Sequence, residues 1–371
     1  MKFTCNQHVL AKALNTVSKA VSTKTTINIL RGILVTATET GKLILTASDL
    51  DISIEKVIED VEVEEPGSTV VMARLFGDII RRLPNEDILV EEIEEGNIVI
   101  KSSSSEFKIV GLSAEEFPGI GEIEENSDTV YLKKEEFKDM IRKTSFSASI
   151  DESKGVIVGV LLEMAAGKFN MVALDGFRMA ISRTRMGESI ERNTIIAAKI
   201  LNDVNKIIAD IEEEGDIKMI LSSKKAMLLL ENTKIIIRLL EGEFIKYRDI
   251  LPKESETKVK ISRNFLMDSI ERASLLAKEG RNNLIIFNIE GDKLIITSKS
   301  EEGNVREEIE IEKEGKDLKI GFNSKYILDV LKVVDEDDVL LEFKASINPC
   351  LVKSTEGEKY EYLILPVRIT N

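Results

Sequence analysis

No tryptophan, one histidine, two cysteines and six prolines occur among the 371 residues, and aromatic side chains make up 5% of the chain. Two cysteines, Cys5 and Cys350, cannot supply a disulfide framework or a four-cysteine zinc site. With His8 as the one imidazole, neither a histidine metal centre nor a Ser-His-Asp triad is expected. A glycine count of 21 is too low for a fibrous or low-complexity chain. The longest apolar stretch, Gly155 to Gly167, is interrupted by Glu163 and is too short to span a bilayer. The opening residues Met1 to Gln7 lack the apolar core of a signal peptide. These absences point to a soluble, cytoplasmic protein with no membrane partner.

Hydrophobic residues at 43% and charged residues at 32% are enough for a packed core, and the length suggests two or three domains. The sequence repeats three times. Gly-centred turns between alternating apolar runs stand at Gly41, Gly167 and Gly291, spaced by 126 and 124 residues, and each predicts a hairpin. A second marker agrees: Arg74-Leu75-Phe76, Lys199-Ile200-Leu201 and Lys325-Tyr326-Ile327 each open a helical pattern, at spacings of 125 and 126. We divide the chain at 1–122, 123–252 and 253–371. Each copy opens with a short strand (Lys2 to Thr4, Thr129 to Leu132, Lys258 to Ile261) followed by a helix. The first helix carries Val9, Leu10, Ala13, Leu14 and Val17 in copy one, Phe137, Met140 and Ile141 in copy two, and Phe265, Ile270 and Leu275 in copy three. The second helix carries Leu75, Phe76, Ile79, Ile80 and Leu83, or Tyr326, Ile327, Val330, Leu331 and Val334. Within each copy the order strand, helix, strands occurs twice. Segregated helices and alternating strands predict an α+β fold with antiparallel sheets covered on one face.

A net charge of −15 taken whole argues against a nucleic-acid partner. Its distribution reverses that argument. The six predicted helices, 7–21, 73–83, 133–147, 197–211, 262–278 and 323–334, hold 17 basic and 9 acidic residues, while the rest of the chain holds 34 and 57. A basic lining attracts phosphates without reading sequence. Lysine and arginine are also good formers of solvated helix faces, and charge alone does not decide between the two readings.

The repeats, and several segments in order, resemble the bacterial DNA polymerase III beta-subunit family, the sliding clamps. The resemblance covers the whole chain. Its segments are Met1 to Thr4, Ala47-Ser48-Asp49-Leu50-Asp51, Val172 to Ala180, Glu241-Gly242-Glu243-Phe244, Tyr247-Arg248 with Leu251-Pro252, Ile320 to Asn323 with Tyr326 to Leu331, and Leu365-Pro366-Val367-Arg368. It implies three tandem copies of a two-helix clamp domain in a head-to-tail homodimeric ring, with helices lining the hole and sheets outside. By the same resemblance, double-stranded DNA is expected to pass through the ring, and the ring to make the polymerase processive. Six helices about 10 Å wide would circle a centreline only about 19 Å across; twelve give about 38 Å, leaving a hole near 28 Å that admits a duplex. The implied partners are the polymerase catalytic subunit, the clamp loader, and repair and other proteins carrying a clamp-binding motif. Neither a cofactor nor catalysis is implied.

Family positions place a partner-peptide pocket at Lys154, Leu174, Gly176, Phe177, Arg178, Met179, Ile245, Ile250, Pro349, Leu365, Pro366, Val367 and Arg368. The chain departs from the family at Leu174, Phe177 and Met179, where threonine, histidine and leucine are usual. It also departs at Lys154, where arginine is frequent, and at Ile245 and Asn28, where proline is frequent. The departures at Leu174 and Phe177 make the pocket more apolar. Alternation of Leu365, Val367 and Ile369 predicts a final strand with one open face, and Pro366 suits an edge, which has no ladder donor to lose; a plain core strand shows the same alternation. Ring contacts are implied at Leu75 and Ile79 against Leu275 and Leu276, with Arg81 or Arg82 facing Glu307 and Glu308. DNA contacts are expected at Lys12, Lys24, Arg74, Lys138, Arg142, Lys199, Lys206, Arg263 and Lys325, above all at the repeat-equivalent Arg74, Lys199 and Lys325. Asp49, Asp51 and Asp175 are read as turn residues, since no third ligand or nucleophile accompanies them. His8 is read as a solvent-facing or capping residue. The alternatives are a nucleic-acid-processing enzyme, which needs a carboxylate cluster or nucleophile–base pair, and a non-DNA scaffold, which leaves the basic helices unexplained.

Overall fold

The computed structural model describes residues 1–371 except 23–24, 94–95, 125–126, 188–189, 212–214 and 370–371, and except the side chain of Arg281. One plan is used six times: a strand, a helix that starts on the next residue, and three antiparallel strands. The first unit is β1 (Lys2–Asn6), α1 (Gln7–Val17), β2 (Gly32–Ala37), β3 (Leu43–Ser48) and β4 (Ile52–Ile58), with a short β5 (Glu62–Glu65) after it. The second is β6 (Gly67–Met72), α2 (Ala73–Arg82), β7 (Asp87–Glu92), β8 (Asn97–Lys101) and β9 (Glu106–Ser113). The third is β10 (Asp128–Lys133), α3 (Lys134–Thr144), β11 (Gly159–Ala165), β12 (Lys168–Leu174) and β13 (Arg178–Arg185). The fourth is β14 (Arg192–Ala197), α4 (Ala198–Ala209), β15 (Asp216–Leu221), β16 (Lys225–Leu230) and β17 (Thr233–Arg238). The fifth is β18 (Thr257–Ser262), α5 (Arg263–Ala277), β19 (Leu284–Glu290), β20 (Lys293–Ser300) and β21 (Gly303–Glu310), followed by β22 (Glu312–Gly315). The sixth is β23 (Leu318–Asn323), α6 (Ser324–Leu331), β24 (Asp338–Phe343), β25 (Cys350–Lys353) and β26 (Tyr360–Ile364). The fold is α+β with large antiparallel sheets.

Units pair by exchange. The opening strand of each lies beside the first post-helix strand of its sister: β1 with β7 and β6 with β2, β10 with β15 and β14 with β11, β18 with β24 and β23 with β19. A different rule joins successive copies. Here the last strand of an odd unit meets the last strand of an even one, β4 with β17 and β13 with β26. The results are sheets of 13, 9 and 4 strands.

The chain forms two compact bodies, residues 1–134 with 206–239 and residues 135–205 with 240–371. The first holds the 13-stranded sheet and the second holds the other two.

Local chemistry accounts for the punctuation. The hairpins at Gly41, Gly167 and Gly291 turn through φ of 74°, 71° and 57°, a left-handed conformation that glycine adopts without a Cβ clash. Asn6 and Asn323 cap α1 and α6 by accepting from the backbone N–H groups of His8 and Lys325. α2 stops at Arg82, two residues before Pro84, which cannot continue a helix. The predicted stripes hold for α1, α2, α3 and α6, with Val9 and Tyr326 half-buried and Leu75 51% exposed. The stripe expected for α5 is corrected. Phe265 and Leu275 face outward, and the buried face is Leu266, Ile270, Ala273 and Ala277. Steps of five residues advance about 140° around a helix, so 265, 270 and 275 cannot share one face.

Candidate functional site

The residues expected to form a peptide pocket all lie on the second body. β12 ends at Leu174, residues 175–177 turn, and β13 returns from Arg178. Asp175 Oδ1 accepts from the backbone N–H groups of Phe177 and Arg178 at 2.8 and 3.1 Å, so its carboxylate shapes the turn. Gly176 takes φ of 95°, and Phe177 is left 54% exposed. Asp49 does the same between β3 and β4, accepting from Asp51 and Ile52.

Leu174 and Met179 lie in one buried cluster with Leu161, Val172, Tyr247 and Leu363, and Leu365 packs on its rim. Val156, Phe244 and Leu251 pack there too and were missed from the sequence; Val156 sits in the kinked 3-10 stretch Glu152–Val158 and the other two in irregular segments, where apolar residues show no period. Ile245 and Ile250 are exposed on either side of the short 3-10 turn Tyr247–Asp249. Lys154 and Arg368 are exposed, and Pro349 and Pro366 are half-buried.

The expected final strand is corrected. β26 ends at Ile364 and lies between β13 and β25, so it is no edge. Leu365 donates its N–H to the carbonyl of Phe177 at 2.9 Å, Pro366 interrupts the ladder, and Val367 makes a single bridge to Gly321.

Arg178 is a fixed strut. Its guanidinium donates to Asp175 at 3.1 Å, to Asp329 of α6 at 2.6 Å and to the Phe146 carbonyl at 2.8 Å, between the rings of Phe146 and Tyr326. Phe177 stacks on Tyr326 with centroids 6.1 Å apart.

Among the basic candidates, Arg74, Lys199 and Lys325 are each the second residue of their helix, α2, α4 and α6, and all three are exposed. Lys12 and Lys206 are also exposed. Lys138 pairs with Glu135 at 2.7 Å, Arg142 is held by Asp139 and Asp335, and Arg263 donates to the Leu331 carbonyl at 3.0 Å. These three are tied to the protein before any phosphate arrives. Lys24 lies outside the described residues.

Of the ring-contact candidates, Leu75 and Leu275 are exposed and Leu276 is half-buried, while Ile79 is 8% exposed and belongs to the core. Arg81 pairs with Asp78, Glu307 with Arg272, and Glu308 with Lys293 and Arg306; Arg82 is exposed.

His8 is exposed at the start of α1. Cys5 and Cys350 are buried in or beside β1 and β25; burial lifts the Cys5 thiol to about 11 and raises Cys350 further. Among the described residues, no group of three or more His, Cys, Asp and Glu side chains is placed to hold a metal, and no helix is long and apolar enough to cross a membrane.

The fold and the sequence meet in one family. Models for the N-terminal, central and C-terminal domains of the DNA polymerase III beta subunit match residues 1–121, 131–246 and 248–368. Beta sliding clamps of Staphylococcus epidermidis and Staphylococcus aureus are each 36% identical over 99% of both chains. A solved structure of a putative DNA polymerase III beta subunit from Eubacterium rectale superposes with a TM-score of 0.94 at 36% identity, and the Bacillus subtilis DNA polymerase sliding clamp with 0.95 at 32%, each over the full length of both chains. The class is therefore that of the DNA polymerase processivity factors. The chain belongs to the beta-subunit family of DNA polymerase III, and its function is that of a sliding clamp in DNA replication.

Proposed function

We propose that two copies close head to tail into a ring around duplex DNA, with helices inside and sheets outside. In this reading each chain contributes three two-helix clamp domains, 1–122, 123–252 and 253–371. The ring performs no chemistry in the cytoplasm; it tethers the catalytic subunit of the replicative polymerase. The cleft around Leu174, Phe177, Met179, Ile245, Ile250 and Leu365 takes short apolar motifs from the polymerase, the clamp loader and repair proteins.

The observation that carries closure is an edge count. Inside the chain, the last strand of an odd unit meets the last strand of an even unit twice, β4 with β17 and β13 with β26. Two strands of these kinds are left over. Among the described residues, β21 pairs only with β20, and β9 pairs over Glu106–Val110 only with β8. A second copy supplies each with the partner the rule calls for, and such a contact closes when the rotation completes a ring. Leu75, with the exposed Phe107 and Val110, gives one side an apolar face, and Leu275 with Leu276 gives the other.

Arg74, Lys199 and Lys325 hold the same helical position in three units and suit sequence-independent phosphate contact. A retention assay tests the whole reading. The protein, loaded on nicked circular duplex, stays bound until a restriction enzyme linearises the DNA and then leaves by the ends. Equal retention on circular and linear DNA, or a monomer throughout in sedimentation, overturns it.

A further inference from the structure

We infer that Glu163 is a positioning residue of the peptide cleft: it clamps the turn Tyr247–Asp249 and thereby sets where Ile245 and Ile250 stand. The inference rests on the cleft assignment above.

Glu163 interrupts an otherwise apolar β11, and it is 6% exposed. A carboxylate taken from water is costly unless partners replace the water, and here the buried Glu163 carboxylate is paired with an Arg248 side chain that stays largely open to solvent. Its retention in a buried strand therefore calls for a use other than packing. Its partners show that use. Tyr247 Oη donates to Glu163 Oε2 at 2.7 Å, Arg248 donates from both terminal nitrogens to the two carboxylate oxygens at 2.7 and 2.6 Å, and Asn170, its cross-strand neighbour, donates at 2.9 Å. Two of the three donors are consecutive residues of the 3-10 turn.

That turn lies in a long connection. Between β17, ending at Arg238, and β18, starting at Thr257, no strand or α-helix holds the chain. Within it, Tyr247 is buried in the cleft's own apolar cluster beside Leu174, Met179 and Leu363. Its ring enters that cluster while its hydroxyl reaches Glu163, and Arg248 covers the same ring at 4.8 Å. The bidentate fork fixes direction as well as distance. Ile245 stands two residues before the clamped tyrosine and Ile250 two after the clamped arginine, both exposed. Backbone bonds bind the segment into one piece: Tyr247 N–H to Ile245, Asp249 N–H to Lys246, Ile250 N–H to Tyr247. One buried carboxylate on a rigid strand thus orients both isoleucines, a job that cluster packing of Tyr247 alone leaves free to rock.

The test uses the full-length protein and a fluorescent peptide of the kind the family resemblance implies, carrying a glutamine and a Leu-x-Phe apolar pair. Anisotropy is read well below the unfolding temperature of each variant. Glu163→Ala is expected to weaken binding at least tenfold, and Tyr247→Phe, which keeps the ring and removes one bond, about threefold. Ile250→Ala should weaken binding in the wild type and add little in the Glu163→Ala background, because the isoleucine is no longer held. Hydrogen exchange at the amides of Asp249 and Ile250 should accelerate in Glu163→Ala while β18 stays protected. Folded Glu163→Ala that binds as tightly as wild type, or additive losses with Ile250→Ala, overturns the positioning role. Failure of the cleft reading has its own signature: wild type does not bind the peptide, or Leu365→Asp, which buries an unpaired charge at the cluster rim, binds it unchanged.

Discussion

Arg178 Nη1 donates to Asp329 Oδ2 at 2.6 Å, tying the start of β13 to α6 across 151 residues of sequence. The same guanidinium serves Asp175 and a backbone carbonyl, so three acceptors depend on one planar fork. Arg178→Ala leaves a partly buried carboxylate without its partner and should lower unfolding stability by about 2–3 kcal/mol. Arg178→Lys should recover little of this, since an ammonium is a point charge without the fork geometry. Urea unfolding midpoints of the three proteins settle the matter; a lysine variant matching wild type would contradict the strut.

Acid should act through Glu163. Burial pushes its pKa up, but the hydrogen bonds from Arg248, Asn170 and Tyr247, with the arginine charge, outweigh that and leave it below the ordinary glutamate value. A pKa depressed by folding gives stability that is present above the unfolded value and lost as pH falls through the folded one. The stability gap between wild type and Glu163→Gln should therefore be widest near neutrality and narrow below the ordinary glutamate value of about 4.3. Denaturation series at pH 7, 5, 4 and 3 measure it, and a gap that does not change with pH counts against the linkage.

Ring closure should be broken from either side without unfolding the chain. Leu275 is 67% exposed, and Leu75 is also open to solvent. Leu75→Lys or Leu275→Lys should give folded monomers at micromolar concentration in sedimentation. Ile79→Lys differs, because Ile79 is a core residue; it should lower the melting temperature first. A fully dimeric Leu275→Lys variant places the interface elsewhere.

DNA binding should be weak, indifferent to sequence and steep in salt. Replacing Arg74, Lys199 or Lys325 by alanine should each lower the slope of log K against log salt by about one, and Arg142→Ala by less, since Arg142 is already held by Asp139 and Asp335. A marked preference for one duplex sequence would speak against phosphate contact.

α1, α2, α3 and α6 were legible from apolar residues at helical spacing, whereas α5 was located but its buried face was misread. The doubled unit was legible too, from an order of strand, helix and strands that occurs twice in each copy. What remained hidden depends on distance in the chain. Asp139 lies one helical turn from Arg142 and is visible in the sequence, but Asp335 is 193 residues away. Glu163 reads as a mere break in an apolar run until Tyr247 and Arg248 are seen above it. Ile79 matches a family contact position, yet its helical phase with Phe76 and Ile80 turns it inward. Pro366 correctly signals a lost ladder bond, but the strand it ends is flanked on both sides.

The two copy-to-copy junctions share one backbone connection. Arg238 N–H meets the Asp51 carbonyl at 2.8 Å in one, and Leu365 N–H meets the Phe177 carbonyl at 2.9 Å in the other. In the first the side chains on either side are two opposite charges; in the second they are two large apolar groups. The same backbone connection is thus built twice, once between charged residues and once between apolar ones. In the reading proposed above, each chain offers apolar motifs one such berth, and partners compete for it by relative affinity and abundance.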